Sequence, residues 1–292
     1  MGKSNKFYIT DVFGEKRYSG NQLATFLKAS CLSDTEMQQI AREINFSETT
    51  FILSDYQKNG GYDVRIFNPG EEFKFAGHPT LGTAFIIRKN IIKKPVKKVI
   101  LNLKVGQVPV RFADDGTLWM KQVQPTFGDT LRPNRISSVL NINKDDIDSR
   151  WPIEEVSTGI PHIIVPLKTM DALKRVNIVN EKYNKLIEKT WAKFILTFSP
   201  NGYTENQHLD VRVFPIYLGI SEDPATGSGN GCLAAYLVKN RYFESEEIKI
   251  ITGQGYEIGS PSSLFLMASK NDDIFRIEVG GRVIPIAEGW WG

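Results

Sequence analysis

Apolar and polar positions alternate over short stretches of the first half of the chain. With their β-branched content they predict strands near 7–12, 49–54, 62–67, 97–103, 106–112 and 117–122. Helical spacing predicts helices over 34–45 and 78–89, the first opened by Ser33-Asp34, whose side-chain oxygens can accept the unpaired amides of a first turn. Gln124-Pro125-Thr126-Phe127-Gly128-Asp129 places Pro and Gly between periodic segments and predicts a linker. Beyond it the same order returns. Strands are predicted near 154–158, 162–167, 193–198, 208–214, 247–252, 263–268 and 274–279, and helices near 133–141, 180–191 and 228–240. Two domains follow, 1–128 and 129–292, with a closing strand over 282–287 that can return to either.

The repetition extends to the words themselves. Asp63-Val64-Arg65-Ile66-Phe67 and Asp210-Val211-Arg212-Val213-Phe214 each precede a Gly-containing turn and an apolar run, opened by Gly77 and Gly227. One repeat at so long a period is not a solenoid; it fits two similar domains related by a pseudo-twofold axis, with the mirrored turns facing one cleft. The runs Pro79–Ile87 and Gly231–Val238 are apolar on most faces, so each belongs inside a sheet. The expected fold is α+β, two pseudo-symmetric half-barrel domains each wrapping a central helix.

Composition narrows the function classes. At 292 residues, 41% hydrophobic and 24% charged, the chain can bury two cores. The net charge of +3 is small, and the densest basic stretch, Lys93-Lys94-Pro95-Val96-Lys97-Lys98, lacks interleaved aromatics, which reads as a solvated turn and not as a nucleic-acid patch. Cys31 and Cys232 stand in no CxxC or Cys/His ligand spacing, so neither a disulfide framework nor a metal site is expected, and a reducing cytoplasm is the simplest compartment. No apolar run reaches membrane-spanning length, and the N-terminus carries neither a signal core nor the Ser or Thr that acylation at Gly2 requires.

Candidate chemistry gathers at the two turns. Glycine at a strand-to-helix turn lets a ligand approach a helix N-terminus, whose unpaired amides and positive dipole end hold a carboxylate or developing enolate without a metal. Gly77 and Gly227 occupy those positions, followed by His78 and Ser228; for either copy alone the glycine can be a turn residue and no more, and the paired occurrence favours binding. Glu48, in Asn45-Phe46-Ser47-Glu48-Thr49, lies at the mouth of an apolar strand. Partial desolvation would make it a general base, while a loop acid in water is the competing reading, and the residues alone leave both open. His162 and His208 read as surface or strand-edge histidines.

Asn45-Phe46-Ser47-Glu48-Thr49, Ala76-Gly77-His78-Pro79-Thr80 and Glu222-Asp223-Pro224-Ala225-Thr226-Gly227-Ser228 together resemble the phenazine-biosynthesis PhzF-like isomerase family. Asp11-Val12-Phe13 with Gly20-Asn21, Thr158-Gly159-Ile160-Pro161-His162 and Gly253-Gln254-Gly255-Tyr256-Glu257-Ile258-Gly259 extend the likeness over nearly the whole chain. The resemblance implies a diaminopimelate-epimerase-like fold, no cofactor, catalysis in the interdomain cleft, a small-molecule substrate and a homodimer. It makes Glu48 the acid/base, His78, Asp223 and Ser228 further catalytic residues, and Ser47, Gly77 and Gly227 substrate-binding residues. Cys232 lies one helical turn inside its helix, so a two-thiol racemase is disfavoured. Gln22 stands where the family usually has proline and Ser260 where it commonly has arginine, which leaves the substrate open. The competing readings are a nucleotide-binding domain, poorly matched because Gly227-Ser228-Gly229-Asn230-Gly231 has G-x-G-x-G spacing, and a non-catalytic small-molecule binder on the same scaffold.

Overall fold

The computed structural model describes residues 4–292, so Met1–Lys3, on which the acylation reading at Gly2 falls, lie outside the described residues. The chain divides into two compact units, one running to Lys121 and including Gly280–Gly292, the other Gln122–Val279.

The first unit contains β1 (Asn5–Val12), β2 (Asn21–Phe26), α1 (Asp34–Ile44), β3 (Glu48–Ile52), β4 (Tyr62–Phe67), β5 (Glu72–Phe73), α2 (Gly77–Ile86), β6 (Lys98–Leu103), β7 (Gly106–Phe112) and β8 (Leu118–Lys121). Ser33 caps α1 in a full capping box with Glu36, so both ends of the exchange satisfy an orphan amide. The strand Val283–Trp291 runs antiparallel to β1, and β1 antiparallel to β2; β2 lies parallel to β3, β3 antiparallel to β4, β4 parallel to β6, and β6, β7 and β8 close in antiparallel steps. The parallel pairs are joined by α1 and α2, as such pairs require a crossover. Nine of the ten α2 residues are buried, and the helix touches β1, β2, β3, β6, β7, β8 and the closing strand, so the sheet wraps it. Gly82 permits that approach: a Cβ there would stand 2.5 Å from Leu23 Cδ2 and 2.9 Å from Val12 Cγ2. On the other face of the sheet, Ala24, Phe26, Phe51 and Phe67 pack against Met37, Ile40 and Ala41 of α1.

The second unit repeats this with β9 (Thr126–Leu131), α3 (Pro133–Leu140), β10 (Ile153–Ser157), β11 (Pro161–Pro166), α4 (Met170–Arg175), α5 (Asn180–Ile187), β12 (Phe194–Pro200), β13 (Leu209–Phe214), α6 (Gly227–Lys239), β14 (Glu247–Gln254), β15 (Ser262–Asn271) and most of β16 (Ile274–Gly281). The closing strand of the first unit is then β17. The pairing order is the same: β9 antiparallel to β10, β10 to β11, β11 parallel to β12, β12 antiparallel to β13, β13 parallel to β14, β14 antiparallel to β15. Helix α6, buried from Gly227 to Val238, touches β10, β11, β14 and β15. The two Asp-Val-Arg segments are thus β4 and β13, in equivalent places.

Three expectations are corrected. The segment read as a linker is largely β9; its residues are mostly exposed and carry no alternating apolar signal, since the strand is held by pairing to β10. The second unit accordingly begins at Gln122, not at 129. Besides the two-residue β5, two further elements were not predicted. In β2, Asn21-Gln22 dilutes a short apolar pattern, and α4 is a six-residue helix marked mainly by its Thr169 cap. The helix expected over 78–89 ends as α at Ile86 and continues as a π-helical turn over Ile87–Ile92.

Candidate functional site

In the first unit, α1 stops at Asn45, whose left-handed conformation (φ 56°) turns the chain through Phe46 and half-buried Ser47 into β3. Glu48 is the first residue of β3, paired with Leu23 across the parallel step. His78 is the second residue of α2. Its N-cap, Ala76, offers no side-chain oxygen, and the amide of Thr80 is the one that first returns to Ala76, so the amides of Gly77 and His78 have no partner within the helix. The two side chains meet: Glu48 Oε2 lies 3.4 Å from His78 Nε2, with 14% and 6% of the respective side chains exposed. Burial holds the His78 imidazole neutral, lowering its pKa to about 3 against the opposing pull of a hydrogen bond with the Gln22 backbone. A bond that favours the protonated ring is one the ring donates, and Nε2 makes no hydrogen bond, so Nδ1 is the donor. Nε2 therefore presents a lone pair toward Glu48.

In the second unit, β13 hands over to α6 through a buried ion pair. Arg212 Nη2 and Nε reach Glu222 at 2.7 and 3.0 Å, and Nη1 donates to the carbonyls of Val176 (2.8 Å) and Leu173 (3.0 Å). Asp223 bridges back to Val213, and its Oδ2 accepts from the Thr226 hydroxyl. Thr226 is the N-cap of α6 yet does not cap it, because its hydroxyl is committed to Asp223 and its amide donates to Gln254 Oε1 at 3.2 Å. The amides of Gly227, Ser228 and Gly229 are thereby left without intrahelical partners, the first return being Asn230 to Thr226. Gln254 organises this turn: its Nε2 donates to the Asp223 carbonyl at 2.7 Å and to Thr226 Oγ1 at 3.0 Å, while its Oε1 also accepts from Asn230 Nδ2 at 2.9 Å. Thr252 closes the network on Asn230 Oδ1 at 2.6 Å. Sequence reasoning passed over Gln254, Asn230 and Thr252 as site residues. The available signal was a polar residue between two glycines at a strand end, Gly253-Gln254-Gly255, with Gly255 at φ 81°.

The remaining candidates fall away from chemistry. Cys232 is fully buried beside Thr158 Oγ1 (3.6 Å) and the Ile160 carbonyl (3.4 Å), and burial raises its thiol to about 11, so it is no thiolate. His162, expected at a surface or strand edge, is instead fully buried in β11, held neutral near pKa 4 by that burial, and bonded through Nδ1 to the Ile160 carbonyl at 2.9 Å. His208 Nδ1 accepts the Ile251 amide at a strand edge. Among the described residues no group of three His, Cys, Asp or Glu side chains is arranged to hold a metal ion, and no helix is long and apolar enough to cross a membrane.

Comparison with known proteins gives the family. The phenazine biosynthesis-like protein family model matches residues 10–289. A trans-2,3-dihydro-3-hydroxyanthranilate isomerase from Pseudomonas aeruginosa is 32% identical over 291 residues, spanning 98% of each chain, and an uncharacterised isomerase from Clostridium acetobutylicum is 30% identical over 271, spanning 89% of this chain and 88% of its own. The crystal structure of a PhzF-family phenazine biosynthesis protein from Bacillus anthracis superposes with a TM-score of 0.91 at 28% identity over the full length of both chains. A hydroxyproline epimerase from Agrobacterium vitis shares the fold at a TM-score of 0.63 and 7% identity, over 98% of this chain and 92% of its own. With the family model, the full-length relatives and the fold in agreement, the chain belongs to the phenazine biosynthesis-like family and is an isomerase.

Proposed function

We propose that the protein moves a proton between two carbons of a small, unsaturated, carboxylate- or amine-bearing metabolite, without a cofactor, with Glu48 as the single acid/base. The observation that carries this reading is the Glu48–His78 contact at the uncapped start of α2. The bare imidazole nitrogen that faces Glu48 can accept a hydrogen from its acid form, so the contact suits a carboxylate that takes up a proton and gives it back. Glu48 removes the proton from an sp³ carbon, and the electron pair left behind shifts the neighbouring double bond. The conjugate acid of Glu48, which can donate to the bare Nε2 of His78 while it holds the proton, then returns it to the carbon at the far end of the shifted system. Atoms and electrons balance within the substrate. The amides at Gly77 and His78 stabilise negative charge that develops on a carboxylate or enolate oxygen. Ser47 and Gly227 are assigned to substrate binding, and Asp223 and Ser228 to holding its polar substituents.

The substrate named for the Pseudomonas aeruginosa relative, a cyclic diene carrying a carboxylate, an amine and a hydroxyl, has the chemistry this reading requires and is the first compound to test. Incubation in D₂O should place deuterium on carbon as the compound isomerises, followed by NMR or mass. Glu48→Gln keeps the shape and removes the base; it should bind and fail to turn over. Wild-type turnover by Glu48→Gln on a compound the native protein isomerises would show the assignment to be wrong.

A further inference from the structure

We propose that the far end of the central helix of the first unit is a binding site for a small organic polyanion, one carrying two phosphate or carboxylate groups on a body with an apolar face. A shallow recess of about 420 Å³, broadly open to solvent, lies there, lined by Phe85, Arg88, Lys89, Lys93, Lys94 and Pro95. That is within the size range of small-molecule sites. Four of its six lining residues are cations, and among the described residues none of the four is in an ion pair with a carboxylate. Two lie against rings: Arg88 sits 4.4 Å from the Phe112 centroid, and Lys89 5.6 Å from that of Phe85. Those contacts fix the direction of the charge without cancelling it.

The backbone contributes. The π-helical turn over Ile87–Ile92 ends at Lys93 in the left-handed conformation (φ 55°), its amide returning to Arg88, so Arg88 and Lys93 are brought to one rim. Such turns cost hydrogen-bond geometry and recur at functional sites. Cations at a helix C-terminus are favoured by the dipole, which accounts for one or two of them. The second unit shows what that alone demands. At the end of α6, Lys239 is neutralised by Glu154 and lies 4.0 Å from the Phe127 ring, and Arg241 turns back to the Glu244 carbonyl. The same architectural position holds one lysine paired with a carboxylate and one arginine turned back on the backbone in one unit, and four cations around a recess in the other. A recess whose apolar lining is Phe85 and Pro95 suits a compact ligand better than an extended nucleic-acid strand, which would need interleaved aromatic platforms.

The test uses the whole protein with pyrophosphate and ADP as probes, followed by isothermal titration at low salt. Pyrophosphate reads charge alone, and ADP adds an aromatic body. Both should bind. Lys93→Glu/Lys94→Glu should weaken each by about tenfold or more, since two charge-assisted contacts are reversed. Phe85→Ala should remove the advantage of ADP over pyrophosphate and leave pyrophosphate nearly unchanged, and Glu48→Gln should alter neither affinity. Circular dichroism of each variant separates loss of binding from loss of fold. Absence of binding by both probes to the folded native protein would overturn the proposal, as would affinities unmoved by the double charge reversal. Tighter binding of oligo(U) or of phosphatidylserine vesicles, independent of Phe85, would overturn it in favour of a nucleic-acid or membrane surface.

Discussion

The start of α2 and the start of α6 are built on one plan and carry different chemistry. Registers align them residue by residue. Thr50 faces Ile66 as Leu196 faces Val213, so Glu48 at the head of β3 corresponds to Phe194 at the head of β12. Ile66 faces Phe73 as Val213 faces Asp223, so the acid of the second turn corresponds to a phenylalanine in the first. Glu72 and Glu222 coincide, each bound to the arginine of its Asp-Val-Arg strand, and His78 coincides with Ser228. The scaffold is duplicated while each acid has an aromatic counterpart. A racemase that works both faces of one carbon needs a base from each half; in this chain the strand and helix positions repeat and the acids do not. One carboxylate that both takes and returns a proton is the chemistry that this asymmetry fits.

The sharpest way to break the comparison is to remove one acid at a time. Glu48→Gln should lower kcat by about two to four orders of magnitude, the range of general acid/base contributions, with KM little changed. Asp223→Asn should fall short of that, since the Thr226 hydroxyl and Gln254 still organise its turn. Equal losses for the two, measured as isomerisation and deuterium incorporation, would mean that the two halves share the proton transfers.

The arginines come next. Arg212 is 9% exposed, with Glu222 at 6%, whereas Arg65 is 20% exposed and shares its partners Glu72 and Asp34 with solvent. Arg212→Leu leaves Glu222 buried without its cation, which costs about 3–5 kcal/mol of stability. Arg65→Leu should cost less, and denaturant midpoints measure both. If Arg65→Leu is the more damaging, the ion pair of the second unit is not what locks its turn.

How much of this was legible beforehand follows the same division. The strands β4 and β13, the buried helices between parallel strands and the Gly-opened turns carry patterns that one short window contains, and each was read at or near its true bounds. The edge strand β9 was not, because its exposed residues have no apolar alternation and only pairing to β10 makes it a strand. Glu48 was legible as a candidate base, with a loop acid in water left open beside it: what favours the base is its contact with a neutral His78, thirty residues on and buried by the fold. Gln254 stood in a noticeable Gly-Gln-Gly setting, but its role was not legible for a similar reason, since its four hydrogen bonds run to residues brought close by β14 and α6. Long-range partners, not residue types, were the missing information.

The aspartates that open the two strand words give a third, pH-dependent contrast. Asp63 is partly exposed and accepts from Asn102 Nδ2 at 2.8 Å. Asp210 is fully buried, neither of its oxygens has a hydrogen-bond partner, and desolvation raises it to about 8, opposed by Lys174 and Arg212. The folded pKa is above the unfolded one, so the protonated group favours the fold at acid pH. That contribution is lost as the pH rises through about 8. Asp210→Asn should therefore flatten the fall in stability between mildly acidic and alkaline solution, and the variant should outlast the native chain at alkaline pH. Thermal melts across pH decide it.

The smallest effect is expected at the pair His78 and Ser228, the two residues that follow the helix-opening glycines. Ser228→Ala removes one hydroxyl while the amides of Gly227, Ser228 and Gly229 stay in place, since Thr226 is held off the helix by Asp223 and Gln254 whatever residue 228 is. Its cost should be one hydrogen bond to the substrate, about 0.5–1.5 kcal/mol, seen mainly in kcat/KM. His78→Ala takes more, because it strips Glu48 of the acceptor that faces it at 3.4 Å and opens the space around the carboxylate to water. The two substitutions should also differ in kind. Glu48 loses its neighbour in only one of them, so the pH dependence of kcat should move in His78→Ala and stay in place in Ser228→Ala. A shifted profile in Ser228→Ala would mean that the serine, and not the backbone beside it, sets the charge on the acid/base.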